Sequence, residues 1–568
     1  MQSKPPVDLT SLQVDATGKS RYAVFLPAIS SFYSNYVSKQ QHKQHVPADR
    51  IPDGFDRGIE GMNFLNPEQG YFTYKYSLYS AGHAQLDVAK SIVDESMIQQ
   101  RDRSKTTIIG DSGGYQIGKG VLKFDWLNFD GPAANKTRDD IIAWLELTAD
   151  WAVMLDVPIW ACDITNRART GLINPADCLE KTRFNNAYLL KNRLGKTKWL
   201  NVLQGSNWLS AQNWYEGVKE FSDPAVWGDK AAEGWAFGGI NMSKMDVTLK
   251  RLMIMREEGM LTNKNWIHFL GTGQLDWACY LTSIQRQIRK HINEEITISF
   301  DCASPFLSIA NGQAYTNAQH TTKRWGVITD NAPDNKDLAE STIPFPFESE
   351  FGRRLTMGDI CQYRNGTPDW TAINEHNSTT ENEKDKITTA NVFKDPKILN
   401  NQKFWIVMGD KNKINKVGAT SWDSFSYALM MGHNVYCHIV AVQRANQLLE
   451  IERASGLPDW RHWAAMSPTD TNSDQHSAWV PRDILYFDRF VEELFNTKTL
   501  DEAMDMLSNT TAKAFLNNIS GARLRMTSNG QKDNAFLDLF DVADDADVLD
   551  ESQSDKLWAL EEELTKQL

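Results

Sequence analysis

Short apolar runs recur along the first 300 or so residues, and most of them are separated by stretches with helical periodicity. Runs of this length fit buried parallel strands, and alternation with helices is typical of α/β proteins. Eight such runs, about 30–50 residues apart, predict a (β/α)8 barrel. The runs are Ala23–Pro27, Tyr74–Leu78, Thr107–Ile109, Ala152–Asp156, Leu200–Gln204, Gly234–Gly238, Ile267–Leu270 and Ile296–Asp301. The clearest helical patterns between them are Asp139–Ala149, Pro175–Asn192, Trp208–Phe221 and Leu275–Ile292.

The pattern changes at both ends of the barrel, which divides the chain into four parts. Residues 1–20 are predicted to form a flexible leader, and residues 21–310 form the barrel. Residues 311–455 begin polar and rich in loops and end in helical periodicity. Residues 456–568 are predicted to form a helical extension with an acidic tail and a final amphipathic helix, in the segments Asp541–Asp555 and Ser554–Leu568.

Composition restricts the class of protein. A net charge of −13 argues against a protein that binds non-specifically along a polyanion. A local basic groove is nevertheless sufficient to bind nucleic acid. No run approaches the apolar length of a membrane span, and the first residues lack the apolar segment of a signal peptide. The six cysteines form no CxxC pair, which indicates reduced thiols and a cytoplasmic protein. They are Cys162, Cys178, Cys279, Cys302, Cys361 and Cys437.

Polar residues end several of the predicted strands, and in a barrel of this kind the carboxyl ends of the strands face the active site. Asp111 ends the third strand and Asp301 ends the eighth. Two carboxylates at one mouth permit covalent chemistry at a sugar, in which one attacks the anomeric carbon and the other manages the proton. Asp111 is followed by Ser112-Gly113-Gly114, where the glycines let the backbone approach a ligand closely.

Six short motifs at these strand ends resemble, in order, those of the tRNA-guanine transglycosylase superfamily. The firm part of the resemblance covers residues 105–305, and a weaker match follows at Gly432-His433-Asn434. The motifs are Asp111-Ser112-Gly113-Gly114-Tyr115-Gln116, Asp156, Leu203-Gln204-Gly205-Ser206, Phe237-Gly238-Gly239-Ile240, Leu270-Gly271-Thr272-Gly273 and Phe300-Asp301-Cys302.

The resemblance implies a base-exchange reaction and a role for each motif. Asp301 would attack C1′ of a nucleoside and expel guanine, leaving a covalent enzyme–nucleic acid intermediate that a 7-deazaguanine base resolves. Asp111 would be the general acid and base. The remaining residues would bind the base, with Tyr115 and Leu270 on its two faces. The set that would bind the purine comprises Ser112, Tyr115, Asp156, Gln204, the backbone of Gly238, Gly239 and Ile240, and Leu270.

One departure from the family concerns its zinc site. The tRNA enzymes carry a CxCxxC cluster after the nucleophile strand and complete the site with a later histidine, which His433 would match. This chain has no such cluster, and Cys437 with His438 falls short of the four ligands that zinc requires. We therefore expect no cofactor and no bound zinc.

The same departure favours DNA as the polymer, because the superfamily has a bacterial and phage branch that exchanges guanine in DNA for a 7-deazaguanine. The alternatives are a tRNA-guanine transglycosylase that lacks zinc and a non-catalytic nucleic-acid-binding partner subunit. A glycoside hydrolase on the same barrel is disfavoured by the purine-type glycine motifs. The candidate phosphate contacts are Lys119, Lys123, Arg167, Arg169, Lys181, Arg183, Lys323, Arg324, Arg353 and Arg354.

Overall fold

The computed structural model contains eight parallel strands in one sheet that curls until it is nearly closed into a barrel. The strands are β1 Val24–Pro27, β2 Tyr76–Ser80, β3 Thr107–Asp111, β4 Trp151–Val153, β5 Lys198–Leu203, β6 Gly234–Phe237, β7 Trp266–Phe269 and β8 Thr297–Cys302. The sheet order is β1-β8-β7-β6-β5-β4-β3-β2, and a bridge between Ala28, directly after β1, and Leu78 of β2 brings the two edge strands together. The structure describes residues 5–37, 46, 48–81, 86–120, 122–320, 325–339, 341–361, 367–389, 391–392, 396–399, 401–406, 421–465 and 479–526.

The eight predicted strands are confirmed, and the chain has the α/β architecture of a (β/α)8 barrel. Nearly every strand residue is buried, because helices cover the outside and side chains fill the inside. The register sets the height of each strand end. Asp111 on β3 lies opposite Ser80 on β2, and Asp301 on β8 lies opposite Leu26 on β1. The two carboxylates therefore belong to the same mouth.

Five longer helices surround the barrel, and two of them begin with an asparagine whose side chain accepts hydrogen bonds from the first helical turn. Asn174 and Asn207 occupy these positions and form capping boxes with Asp177 and Ser210. The helices are α1 Pro132–Thr148, α2 Pro175–Asn192, α3 Trp208–Val218, α4 Met245–Glu257 and α5 Leu275–His291. Shorter helices lie at Thr10–Gln13, Ser31–Val37, Val88–Asp94, Ser96–Gln99, Gly114–Lys119, Ile164–Thr170, Pro224–Trp227, Ile240–Ser243 and Ser304–Ala310. Single 3-10 turns lie at Ala48–Arg50, Ile59–Met62, Ile159–Cys162, Lys219–Ser222 and Gly228–Lys230.

After the barrel the chain forms an antiparallel hairpin and then one long helix. The hairpin strands are β9 Gln313–His320 and β10 Trp325–Asn331, and the helix is α6 Ser424–Ser455. A buried ion pair of 2.6 Å between Arg50 and Asp423 connects the start of α6 to the barrel side. Between hairpin and helix lie the short helices Met357–Ile360, Trp370–Thr379 and Pro396–Leu399, the strands Thr367–Pro368 and Trp405–Ile406, and 3-10 turns at Lys336–Leu338, Gly352–Arg354, Glu383–Asp385 and Gln402–Phe404.

Helices also form the predicted C-terminal extension. They are α7 Arg482–Phe495, α8 Leu500–Ser508 and α9 Thr510–Met526, preceded by a 3-10 segment at Trp460–Ala465. The buried Asp488 fastens α7 to the barrel, since its carboxylate accepts from Arg286 at 2.8 Å and from Arg453 at 2.6 Å. The predicted acidic tail and final amphipathic helix lie outside the described residues. None of the described helices combines the length and apolar composition needed to cross a membrane.

The structure corrects the prediction of a flexible leader for residues 5–20. The short strand Val7–Asp8 pairs in parallel with Phe72–Thr73. Gln13 is buried and donates to Ser20 Oγ at 3.0 Å, and Gln443 of α6 donates to the carbonyl of Leu9 at 2.6 Å. The strand Phe72–Thr73 and Gln443 are far from this segment along the chain, so no local periodicity reveals these contacts. Residues 1–4 lie outside the described residues.

Candidate active site

Asp301 lies near the carboxyl end of β8, and its two carboxylate oxygens have different surroundings. Oδ1 accepts a hydrogen bond of 2.9 Å from the backbone N–H of Gly271. The same oxygen lies 3.1 Å from Nε2 of His268. Oδ2 has no hydrogen-bond partner within the part of the chain that the structure describes, and the side chain keeps 13% of its exposure. Asp301 is therefore anchored through one oxygen and able to react through the other.

His268 on β7 belongs to a chain of buried polar groups behind Asp301. Its Nδ1 lies 2.9 Å from Ser299 Oγ, and the indole Nε1–H of Trp266 donates to the same oxygen at 2.7 Å. We did not predict His268 as a site residue from the sequence. Its position could have indicated one, because His268 is the one ionisable residue in the apolar run Trp266–Phe269 and lies two residues before Leu270. Residues two apart in a strand point to the same side of the sheet.

Asp111 occupies the end of β3, and its surroundings favour the protonated acid. Its Oδ2 accepts a hydrogen bond of 2.9 Å from the hydroxyl of Ser80. Burial raises the pKa of the Asp111 carboxyl above its usual range, and the negative charge of Asp301 raises it further, against the opposing effects of Ser80 and His268. A carboxyl whose pKa is raised holds its proton more readily, which is a property suited to a general acid.

Asp156 and Gln204 form a polar pair beside Asp111. The side-chain amide of Gln204 donates from Nε2 to Asp156 Oδ2 at 2.9 Å. Burial raises the pKa of Asp156 to about 7, although the hydrogen bond from Gln204 opposes this shift and the charge of Asp111 adds to it. A side chain at Gly114 would place its Cβ 3.0 Å from the carbonyl oxygen of Asp156, so a glycine is needed for the third and fourth strand ends to approach this closely.

The backbone after β6 offers fewer free donors than we expected. The N–H of Gly238 donates to the carbonyl of Leu203, and the N–H of Ile240 donates to the carbonyl of Gly205, both at 2.8 Å. Gly239 has φ 54°, and its N–H has no acceptor within the described part of the chain. Gly239 therefore keeps an amide donor without an acceptor among the described residues, whereas the N–H groups of Gly238 and Ile240 hold the turn in shape.

Three further predicted binding residues lie in different settings. Tyr115 is half-buried, and its ring packs edge-on against Trp160 with the ring centroids 5.5 Å apart. Leu270 is half-buried directly after β7. Ser112 is buried and donates to the carbonyl of Met154 at 3.3 Å, so its hydroxyl holds the β3 turn against β4. Tyr115 and Leu270 keep part of their apolar surface exposed, whereas the Ser112 hydroxyl is used in a hydrogen bond within the barrel.

Among the residues that the structure describes, some of the basic side chains predicted to contact phosphate form ion pairs with acidic side chains, and others do not. Lys181, Arg183, Arg353 and Arg354 form ion pairs with nearby glutamates, which include a 2.9 Å contact from Arg183 to Glu220. Lys323 and Arg324 lie outside the described residues, as does the side chain of Lys119. The exposed set without an acidic partner in the described chain comprises Lys123, Arg167 and Arg169, which we call the rim cations.

The rim cations lie in the segments that follow β3 and β4: Lys123 in the loop after β3, and Arg167 and Arg169 in the short helix Ile164–Thr170. Arg169 donates to the carbonyl of Gly118 in the helix that begins after Asp111, and Arg167 donates to the carbonyl of Cys162 at 2.8 Å. Both arginines therefore have backbone contacts that restrain them. The segments after barrel strands lie at the mouth, so the rim cations are at the end of the barrel that carries the two carboxylates.

His433, for which the sequence suggested a match to a zinc-ligand histidine, is buried in the protein interior. Its Nδ1 lies 2.7 Å from Ser349 Oγ, and its Nε2 lies 2.6 Å from the carbonyl oxygen of Tyr315. Burial lowers the pKa of His433 to about 4 and raises the pKa of Cys437 to about 12. The described residues contain no group of three or more His, Cys, Asp or Glu side chains placed to hold a metal ion.

The sequence matches no model of a known protein family and no curated protein. We therefore infer function from the geometry of the barrel mouth.

Proposed function

We propose that the protein is a transglycosylase that exchanges guanine in DNA for a 7-deazaguanine base through a covalent Asp301–DNA intermediate. The observation that carries the proposal is the contrast between the two carboxyl groups at the mouth. Asp301 is held through Oδ1 and would react through Oδ2, while Asp111 is half-buried and has a carboxyl pKa that burial raises. A nucleophile and a proton donor are thus provided by two groups with different environments.

In the first step, Asp301 Oδ2 attacks C1′ of the target nucleotide. A bond between Oδ2 and C1′ forms as the bond between C1′ and N9 of guanine breaks, and the electron pair leaves with the base. Asp111 gives its proton to the departing guanine, which leaves as a neutral molecule. The DNA is then esterified to Asp301.

In the second step, the 7-deazaguanine base takes the place of guanine. Its N9–H gives a proton to Asp111, N9 attacks C1′, and the bond between C1′ and Oδ2 breaks to restore the Asp301 carboxylate. Asp111 returns to its protonated form, so protons and electron pairs balance over the cycle. Two displacements at C1′ retain the configuration of the sugar.

Asp156 and Gln204 recognise the base in this proposal. The ionised carboxylate of Asp156 accepts hydrogen bonds from the N–H groups on the guanine edge, and Gln204 holds the carboxylate in place. A base without those N–H groups leaves a buried carboxylate unpaired, which costs a few kcal/mol. Tyr115 and Leu270 contribute apolar surface to the faces of the ring.

DNA is the proposed polymer, and two observations support it. The position of the family's zinc-ligand histidine is occupied by His433, whose ring bonds to Ser349 and Tyr315. The rim cations present positive charge at the mouth of a chain that is acidic overall. A guanine in a duplex must be rotated out before C1′ is accessible, at a cost of a few kcal/mol that phosphate contacts would offset.

The experiment that tests this function compares two polymers. Duplex DNA and a tRNA anticodon stem–loop, each carrying labelled guanine, are incubated with the protein and a 7-deazaguanine base, and release of the label is followed. We expect release from the duplex. Release from the stem–loop that is faster by about tenfold or more would replace the DNA assignment with the tRNA one, and release from neither polymer would contradict base exchange.

A further inference from the structure

We infer that His268 is a positioning residue for Asp301, held by Ser299 and Trp266 as the tautomer that carries its proton on Nε2. The consequence for the reaction rests on the proposed function, but the tautomer itself does not. Three consecutive contacts connect these residues. Trp266 Nε1 lies 2.7 Å from Ser299 Oγ, Ser299 Oγ lies 2.9 Å from His268 Nδ1, and His268 Nε2 lies 3.1 Å from Asp301 Oδ1.

The direction of each hydrogen bond follows from the chemistry of the groups. An indole N–H is only a donor, so Ser299 Oγ accepts from Trp266. Ser299 is fully buried, and its hydroxyl proton has no other acceptor in the described part of the chain than His268 Nδ1. A buried hydroxyl proton without an acceptor is costly, so the hydroxyl donates to Nδ1. Nδ1 is then the acceptor, and neutral His268 carries its proton on Nε2.

This tautomer directs a donor toward the nucleophile. The backbone N–H of Gly271 donates to Asp301 Oδ1 at 2.9 Å, and His268 Nε2 lies 3.1 Å from the same oxygen, outside hydrogen-bond geometry. Nε2 is buried and has no hydrogen-bond partner in the described chain, so Asp301 Oδ1 is the acceptor that a small rotation of the carboxylate brings to it. The two N–H groups lie on the Oδ1 side and leave Oδ2 to form the bond to C1′, and the neutral ring supplies its N–H without a positive charge.

The two N–H groups beside Oδ1 affect the two chemical steps differently. When Oδ2 attacks, Oδ1 becomes the carbonyl oxygen of the ester and still accepts from Gly271, with the Nε2–H of His268 beside it. When Oδ2 leaves C1′, negative charge returns to the carboxylate, and donors on Oδ1 stabilise that charge as it develops. Loss of the His268 donor should therefore slow breakdown of the covalent intermediate more than its formation.

The first test measures the tautomer in the resting protein. The protein is labelled with 15N-histidine, and the His268 signal among the 11 histidines is assigned by its absence in His268→Gln. We expect the chemical shifts of a neutral ring with Nε2 protonated and Nδ1 bare, and a change of tautomer or a mixture in Ser299→Ala. A ring protonated on Nδ1 in the wild-type protein would overturn the inference whether or not the protein exchanges bases.

The second test separates the two steps by rapid quenching with duplex DNA and a 7-deazaguanine base. In His268→Phe, which keeps a ring but has no donor, the adduct should form within about threefold of the wild-type rate and break down about 10- to 100-fold more slowly. His268→Gln restores an N–H and should recover most of the breakdown rate. Ser299→Ala should lie between His268→Phe and the wild type.

The control is Ser222→Ala. Ser222 follows α3, and its buried hydroxyl accepts a hydrogen bond of 2.9 Å from the side chain of Asn201. This variant should leave both rates unchanged, and thermal unfolding of all variants checks that each is folded. Equal effects on formation and breakdown in His268→Phe would overturn the positioning role. If wild-type protein forms no adduct and exchanges no base on DNA or tRNA, the proposed function fails, and the tautomer measurement still decides the hydrogen-bond chain.

Discussion

The amide of Gln204 donates to the carboxylate of Asp156 across 2.9 Å, and this bond joins the ends of two neighbouring barrel strands. Without it, burial would raise the pKa of Asp156 even further than the value of about 7. The pair therefore keeps a buried carboxylate close to ionisation at neutral pH, where a base that donates N–H groups to it can complete the ionisation.

This relationship predicts how base binding depends on pH. A purine edge that donates to Asp156 binds the ionised carboxylate, so affinity should rise about tenfold per pH unit below the pKa and level off above about 7. The affinity of the protein for a 7-deazaguanine base, measured at several pH values between 5.5 and 8.5, tests this dependence. Asp156→Asn should bind more weakly and lose the dependence, and an affinity that falls as pH rises would contradict the role.

The same raised pKa predicts an effect on stability. The folded protein binds a proton on Asp156 up to about pH 7, whereas the unfolded chain releases it near 3.8. The contribution of Asp156 to the free energy of unfolding should therefore decrease as pH rises from about 4 to 7. Chemical denaturation of the wild type and Asp156→Asn at several pH values should show the difference shifting in favour of the variant. A difference independent of pH would show that Asp156 ionises normally.

Phosphate contacts by the rim cations predict a salt-dependent loss of DNA binding. Arg167→Ala and Lys123→Ala should each weaken binding to duplex DNA and reduce the slope of log K against log salt by about one. Arg183→Ala is the matched control, because Arg183 already pairs with Glu220 at 2.9 Å. Equal losses in all three variants would assign the effect to net charge instead of to the mouth.

The environment of His433 leads us to predict no structural zinc. Both ring nitrogens bond within the protein, and the Cys437 thiol has a pKa of about 12, so it is protonated and a poor ligand. Metal analysis of protein purified without chelator should find well under one zinc per chain. Stoichiometric zinc that disappears in the double variant His433→Ala, Cys437→Ala would contradict this and favour the tRNA function.

The sequence predicted the barrel well because parallel strands covered on both faces are continuous apolar runs, and their ends are marked by polar or small residues such as Asp111 and Asp301. It did not predict Ser80 or His268, whose roles come from strand register and not from spacing along the chain. The long helix α6 runs through Gly432, where a Cβ would lie 2.8 Å from the ring of Phe351, so a glycine permits the close packing there.

Trapping the covalent intermediate on Asp301 tests the central claim most directly. Wild-type protein and Asp301→Asn are incubated with duplex DNA without an incoming base, denatured, and analysed by gel and by mass spectrometry of the peptide that contains residue 301. The account predicts a denaturant-resistant protein–DNA complex with the added mass on Asp301, and no such complex in Asp301→Asn. A complex that persists in Asp301→Asn, or an added mass on another residue, would contradict it.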